Sequence, residues 1–266
     1  MNSVQLSDGR SIAYRRECSR EENAPTIVFV HGFPLDHSMW IGQMPLAEHA
    51  TLLMPDLPGF GDSDVASDEI SMKSLADDIA EFLRLLDVSK VIFCGLSMGG
   101  YIGWEFAKHH SELLAGLICC NTRASADDEL TARGRRVAAA QVVETGAEPV
   151  AVAMREKLFS AYTKANSPEI VLRIVEVIGN TSPEIIAAAQ LAMAQRHDHT
   201  NFIGEIKIPT LVVAGSDDVI TPSSEMQEMS FLIEEATFVE ITDAGHVAPS
   251  EMADLFNSAV IHWLPR

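Results

Sequence analysis

Short β-branched runs alternate with helical patterns over the first 120 residues, give way to a long helical stretch, and resume near residue 210. This rhythm restricts the fold more than any other feature of the chain. Thr26-Ile27-Val28-Phe29-Val30, Thr51-Leu52-Leu53-Met54, Val91-Ile92-Phe93-Cys94 and Leu117-Ile118-Cys119-Cys120 are continuous apolar runs, too short for core helices, and read as strands buried on both faces. Met72, Leu75, Ile79, Leu83 and Leu86 recur at three- and four-residue intervals, which predicts an amphipathic helix over 71–86. Gly9 turns the chain between a first short strand and Ser11–Arg15, a hairpin pattern. Strand and helix in alternation imply a mostly parallel sheet with helices on both faces, an α/β fold.

From about Ala126 to Asn201 nearly every pattern is helical: Ala138, Ala139, Ala140, Val142 and Val143 belong to one helix, and Ile170, Val171, Ile174, Val175 and Ile178 to another closed by Gly179-Asn180. Strands return at Thr210–Ala214 and Thr237–Ile241, followed by a terminal helix around Leu255, Val260 and Trp263. The expected organisation is one core domain, residues 1–124 and 202–266, with a helical block over 125–201 inserted between strands six and seven.

The net charge of −19 argues against sequence-independent binding to nucleic acid or to anionic membranes, both of which need clustered cations. Arg133, Arg135 and Arg136 read as a solvated helix face with Glu129 and Glu144 close by. No basic region followed by an apolar segment opens the chain, and no apolar run approaches the roughly 20 residues that span a bilayer, so a cytoplasmic protein is expected. Cys94, Cys119 and Cys120 fall inside apolar runs, where cysteine acts as a small hydrophobe, and no Cys/His cluster has metal-ligand spacing. No metal or cofactor is expected.

Active sites in open α/β sheets gather where strands end, so the residues following each strand are the informative ones. Gly95-Leu96-Ser97-Met98-Gly99 follows an apolar run and has the pattern of a sharp strand-to-helix turn that exposes a serine oxygen to a base. His31-Gly32-Phe33-Pro34 follows an earlier strand, and its Phe33 amide, with that of Met98, could hold a developing oxyanion. Asp56 through Ser63 is a turn-rich segment read as support for the site. Later come Gly215-Ser216-Asp217-Asp218 and Gly245-His246: a histidine to take the serine proton and a carboxylate to orient that histidine. Each alone could cap a helix or tie a loop; their joint occurrence at strand ends, in the order Ser97, Asp218, His246, points to nucleophilic acyl transfer.

With these motifs the chain resembles the α/β-hydrolase superfamily over essentially its whole length. The likeness rests on His31–Pro34, Asp56–Ser63, Gly95–Gly99, Gly215–Pro222, and Gly245-His246 with Glu251 five residues beyond His246. Within the superfamily it is similar to small capped esterases and lactonases, including 3-oxoadipate enol-lactonases and cofactor-free haloperoxidase-type esterases, through Gly32–Trp40 and Asn121–Ala124. The resemblance implies an eight-stranded sheet, a helical cap over the inserted block, and Asp218 rather than Asp217 as the acid. Relatives that place the acid after strand six have it where this chain has Asn121. Haloalkane dehalogenases and epoxide hydrolases share the His-Gly-x-Pro loop but carry an aspartate where this chain has Ser97.

The expected function is hydrolysis of a small carboxylic ester or lactone through an acyl-enzyme. Phe33, Trp40 and Met98 suggest a compact apolar pocket, and Arg123 is the candidate cation for an anionic substrate. Perhydrolysis, carbon–carbon cleavage, lyase chemistry or non-catalytic ligand binding on the same fold are the alternatives. Oligomeric state is not encoded in any visible pattern.

Overall fold

Val91 and Phe93 point to one face of the sheet and Ile92, Cys94 and Leu96 to the other, so one apolar run feeds two hydrophobic cores. The computed structural model describes residues 1–21, 23–65 and 70–264. Eight strands, β1 (Asn2–Gln5), β2 (Ser11–Glu17), β3 (Thr26–Val30), β4 (Thr51–Pro55), β5 (Val91–Leu96), β6 (Leu114–Cys120), β7 (Thr210–Gly215) and β8 (Ala236–Ile241), form one sheet in the order β1-β2-β4-β3-β5-β6-β7-β8. Only β2 runs against its neighbours. The remaining pairings are parallel, as the continuous apolar runs require.

Helices α1 (Met72–Leu85) and α2 (Met98–His109) cover one face. Helix α1 begins at a capping box in which Ser71 and Ser74 satisfy each other's backbone amides. The opposite face carries the 3-10 helix His37–Glu48, with Pro45 inside it. Between β6 and β7 lie five α-helices, α3 (Glu129–Thr145), α4 (Glu148–Leu158), α5 (Ala161–Asn166), α6 (Pro168–Asn180) and α7 (Pro183–Ala194), and a short 3-10 turn, Phe202–Glu205, with no strand among them. Three of these, α4, α6 and α7, carry proline in their first turn, where its missing N–H costs nothing. The chain closes with α8 (Ser223–Ser230), α9 (Ala248–Glu251) and α10 (Ala253–Trp263). Among the described residues no helix is long and apolar enough to cross a membrane.

Candidate active site

The chain turns from β5 into α2 within one residue. Ser97 sits between them in left-handed backbone conformation, φ 52°, which an L-residue adopts only when its surroundings impose it. The two flanking glycines are what the turn requires. A Cβ on Gly95 would lie 2.3 Å from the Gly99 carbonyl oxygen, and one on Gly99 would lie 2.2 Å from that of Val30. The Ser97 amide donates to Cys120 O at 2.9 Å, and the Thr122 hydroxyl donates to Ser97 O at 2.8 Å, so β6 and the residues after it hold the turn.

Ser97 Oγ lies 2.9 Å from Nε2 of His246, and Nδ1 of the same ring lies 2.8 Å from Asp218 Oδ2. The three residues come from the ends of β5, β7 and β8 and form one hydrogen-bonded chain. Asp218 is buried while Asp217 is exposed, and among the described residues its carboxylate accepts only from the Ser216 hydroxyl, which separates the two neighbouring carboxylates. Burial pushes the Asp218 carboxyl upward, but the facing His246 and the hydrogen bonds from His246, Thr221 and Asn121 outweigh it and hold it at about 2. Its second oxygen accepts the amides of Ile220 at 2.7 Å and Thr221 at 3.1 Å.

The histidine loop is fastened from both sides. The His246 amide donates to Leu158 O at 2.8 Å, at the end of α4. Glu251 is buried and accepts Gly245 N–H on Oε1 and Ser160 N–H on Oε2, each at 2.8 Å. One carboxylate therefore ties the loop bearing His246 to the N-cap of α5.

His31, expected near the site, is fully buried: its Nε2 accepts Leu57 N–H at 3.0 Å while Nδ1 faces Gly32 O at 3.0 Å. It joins the 31–34 loop to the 56–63 segment, whose Asp56 accepts the backbone amides of His37 at 2.8 Å and Asp62 at 3.0 Å. The Phe33-Pro34 peptide is cis. Among the described residues the Phe33 and Met98 amides have no hydrogen-bond acceptor.

A cavity of about 470 Å³ opens over Ser97 and His246, walled by Phe33 and Tyr101 from the core side and by residues of α3, α4 and α7 such as Val142, Met154 and Met193. A larger cavity of about 640 Å³ lies at the β8 edge against α10 and contains none of these three residues. Two pocket expectations are corrected. Trp40 does not line the cavity: it is fully buried between Phe29 and Phe256 in the core beneath the 3-10 helix, because its ring completes that layer of packing. Arg123 does not line it either, since its guanidinium donates to Ile220 O at 2.6 Å and meets Glu225 at 3.2 Å, a brace to α8. The Met98 side chain, too, packs into the core. The cations that do reach the cavity are Arg135 and Lys157, which the sequence placed on a solvated face or did not single out.

Asn121 was also missed in its actual role. It occupies the strand-six position as an amide, not an acid, and donates to Asp218 Oδ2 at 2.8 Å and to Gly245 O at 3.2 Å. Asparagine at the end of an apolar run was the available signal, and φ 43° there suits its tolerance of left-handed backbone.

An eight-stranded sheet with a serine at the β5–α2 turn, facing a histidine and a carboxylate from later strand ends, defines a class of α/β folds. The chain belongs to the alpha/beta hydrolase fold family, whose model matches residues 25–251. Among curated relatives, 3-oxoadipate enol-lactonase 1 of Acinetobacter baylyi is 26% identical over 96% of this chain and 94% of its own. Among solved structures, a thermophilic esterase from Thermogutta terrifontis, with malate bound, is 36% identical with a TM-score of 0.95 over 99% of this chain and 98% of its own. The enol-lactonase from Burkholderia xenovorans is 28% identical with a TM-score of 0.90, covering 98% and 99% of the two chains.

Proposed function

We propose that the protein is a serine hydrolase of small carboxylic esters or lactones, with Ser97 as nucleophile, His246 as general base and acid, and Asp218 as the group that orients His246. The observation that carries this reading is the continuous chain from Ser97 Oγ through the His246 ring to Asp218 at 2.9 and 2.8 Å. Substrate enters beneath α3, α4 and α7, which act as a cap, and places its carbonyl carbon against Ser97 Oγ. His246 Nε2 takes the serine proton as the C–O bond forms, and Asp218 stabilises the resulting imidazolium. The Phe33 and Met98 amides receive the oxyanion, each contributing about 3 kcal/mol. His246 returns the proton to the departing alkoxide, which in a lactone stays attached as a hydroxyl. Water deprotonated by the same ring then frees the acid and restores Ser97.

The cavity cations favour a substrate that carries a carboxylate besides its ester. Arg135 donates to Asp127 through Nε and to Gln190 at 3.1 Å, and the buried Asp127 is shared with Arg196 at 2.6 Å. One carboxylate between two guanidiniums leaves a net positive charge beside the cavity, with Lys157 a second cation at the rim. The enol-lactonase relatives and the malate bound to the thermophilic esterase support the same substrate class.

A fluorophosphonate probe tests the core of the reading: one adduct per chain at Ser97, lost in Ser97→Ala together with ester turnover, is expected. Labelling absent at Ser97, or turnover retained in Ser97→Ala, would reject it in favour of a binding protein or of another chemistry on this fold.

A further inference from the structure

Arg135 reaches the cavity over Ser97 from α3, and its guanidinium is held at two of its three nitrogens. Nε donates to Oδ2 of Asp127 and Nη1 to Gln190 Oε1 at 3.1 Å, while among the described residues Nη2 has no hydrogen-bond acceptor. Two anchors on a planar group fix its plane, so the remaining N–H pair keeps one direction. Lys157, the other cation at the cavity, is exposed and sits on a flexible stem.

Asp127 carries the arrangement inward. Its side chain is 1% exposed, and Oδ1 meets Nη1 of Arg196 at 2.6 Å. Arg196 is itself buried and held on several sides: Nη2 donates to Ser125 O at 2.9 Å, Nη1 to Met193 O at 3.1 Å, and Cζ lies 4.2 Å from the centre of the Tyr101 ring. Tyr101 and Met193 both line the cavity. Ser125 precedes α3 and Arg196 follows α7, so one buried guanidinium fastens the two ends of the helical insertion and, through Asp127, the cation that α3 brings to the cavity.

We propose, on the reading of the cavity as a site for carboxylate-bearing esters, that Asp127 and Arg196 are positioning residues: they aim Arg135 Nη2 at the substrate carboxylate and so set the preference for acidic over neutral esters. A role for Asp127 through its charge alone differs in sign. As a bare charge it weakens the attraction of the cavity for an anion, and its removal would tighten acidic substrates. As an anchor it gives one oxygen to each guanidinium, and asparagine presents an NH₂ in place of one of them. One arginine is then released, and acidic substrates bind less well in spite of the added positive charge. A lysine at position 196 keeps the charge but has no fork to span Ser125, Met193 and Asp127.

The deciding measurement is the ratio of KM for an acidic ester to KM for its neutral match, which does not depend on the fraction of enzyme that is folded. Asp127→Asn and Arg196→Lys should each raise this ratio roughly 10-fold, the change expected of Arg135→Ala. Arg136→Gln removes an exposed cation beside Arg135 and should leave it unchanged. A ratio that stays at the wild-type value or falls in Asp127→Asn overturns the proposal whether or not Arg196→Lys folds, and an unchanged ratio in folded Arg196→Lys overturns it for Arg196. If Arg135→Ala raises the ratio and Asp127→Asn does not, the positioning role alone falls. If Arg135→Ala also leaves the ratio unchanged, the acidic-substrate reading falls with it, and a wild type that hydrolyses neither ester rejects the esterase reading and this role together.

Discussion

The side-chain amide of Asn121 donates to the same Asp218 oxygen that faces His246, 2.8 Å away and 97 residues distant in sequence. Through its second hydrogen, directed at Gly245 O, it also holds the loop that carries the histidine. Asn121→Ala removes a donor to a buried carboxylate, and kcat/KM is expected to fall roughly 10- to 100-fold. Asn121→Asp sets a second carboxylate against Asp218, where both cannot be ionised, so the loss should be larger. The acid limb of its pH–rate profile should also move to higher pH. Rates and profiles matching wild type in both variants would remove Asn121 from the site.

The stability of the fold toward acid carries a contribution from Asp218. Its folded-state pKa, about 2, lies below the ordinary 3.8, so the stabilisation is complete above about pH 4 and lost as pH falls toward 2. The difference corresponds to about 2 kcal/mol. Denaturant melts of wild type and Asp218→Asn between pH 6 and 2 should converge as pH falls, and parallel curves would contradict this.

Glu251→Gln tests whether the His246 loop depends on its tie to α5. A glutamine presents one acceptor where two amides, Gly245 and Ser160, now donate, leaving one buried donor unpaired. We expect a loss of about 1–3 kcal/mol in urea unfolding and a lower kcat with KM less affected.

Two glycines make opposite predictions. Gly95→Ala would drive a Cβ to 2.3 Å from backbone, so more than about 3 kcal/mol of destabilisation or failure to fold is expected. Gly134, inside α3, has nothing within 4 Å of its Cβ position, and Gly134→Ala should raise stability by about 0.5–1 kcal/mol. Thermal or urea melts read both.

Arg135→Ala should raise KM for carboxylate-bearing esters by at least roughly 10-fold, with neutral esters of the same size little changed. Arg123→Ala should show no such discrimination, because its guanidinium is turned to Ile220 and Glu225. Matched pairs of neutral and acidic esters separate the two.

Much of this molecule is written in local chemistry. Continuous apolar runs of strand length, the 3.6-residue spacing of Met72, Leu75, Ile79 and Leu83, and the glycines around Ser97 each act within a few residues, so strands, helices and the sharp turn were legible without coordinates. Ser97, Asp218 and His246 could be singled out in sequence because each lies in the loop or turn that follows a strand. What stayed hidden depends on chain segments far apart. Nothing near Trp40 in sequence says that Phe256 will close over it, and nothing near Arg123 says that Ile220 and Glu225 will claim its charge before any cavity can. Arg135 looks like a surface residue until α3 lies over Ser97, and Glu105 meets His197 only after the insertion has returned to the core. Periodicity and turn preferences are properties of neighbouring residues, whereas the destination of a long polar side chain is chosen by competition among partners that only the closed fold brings within reach.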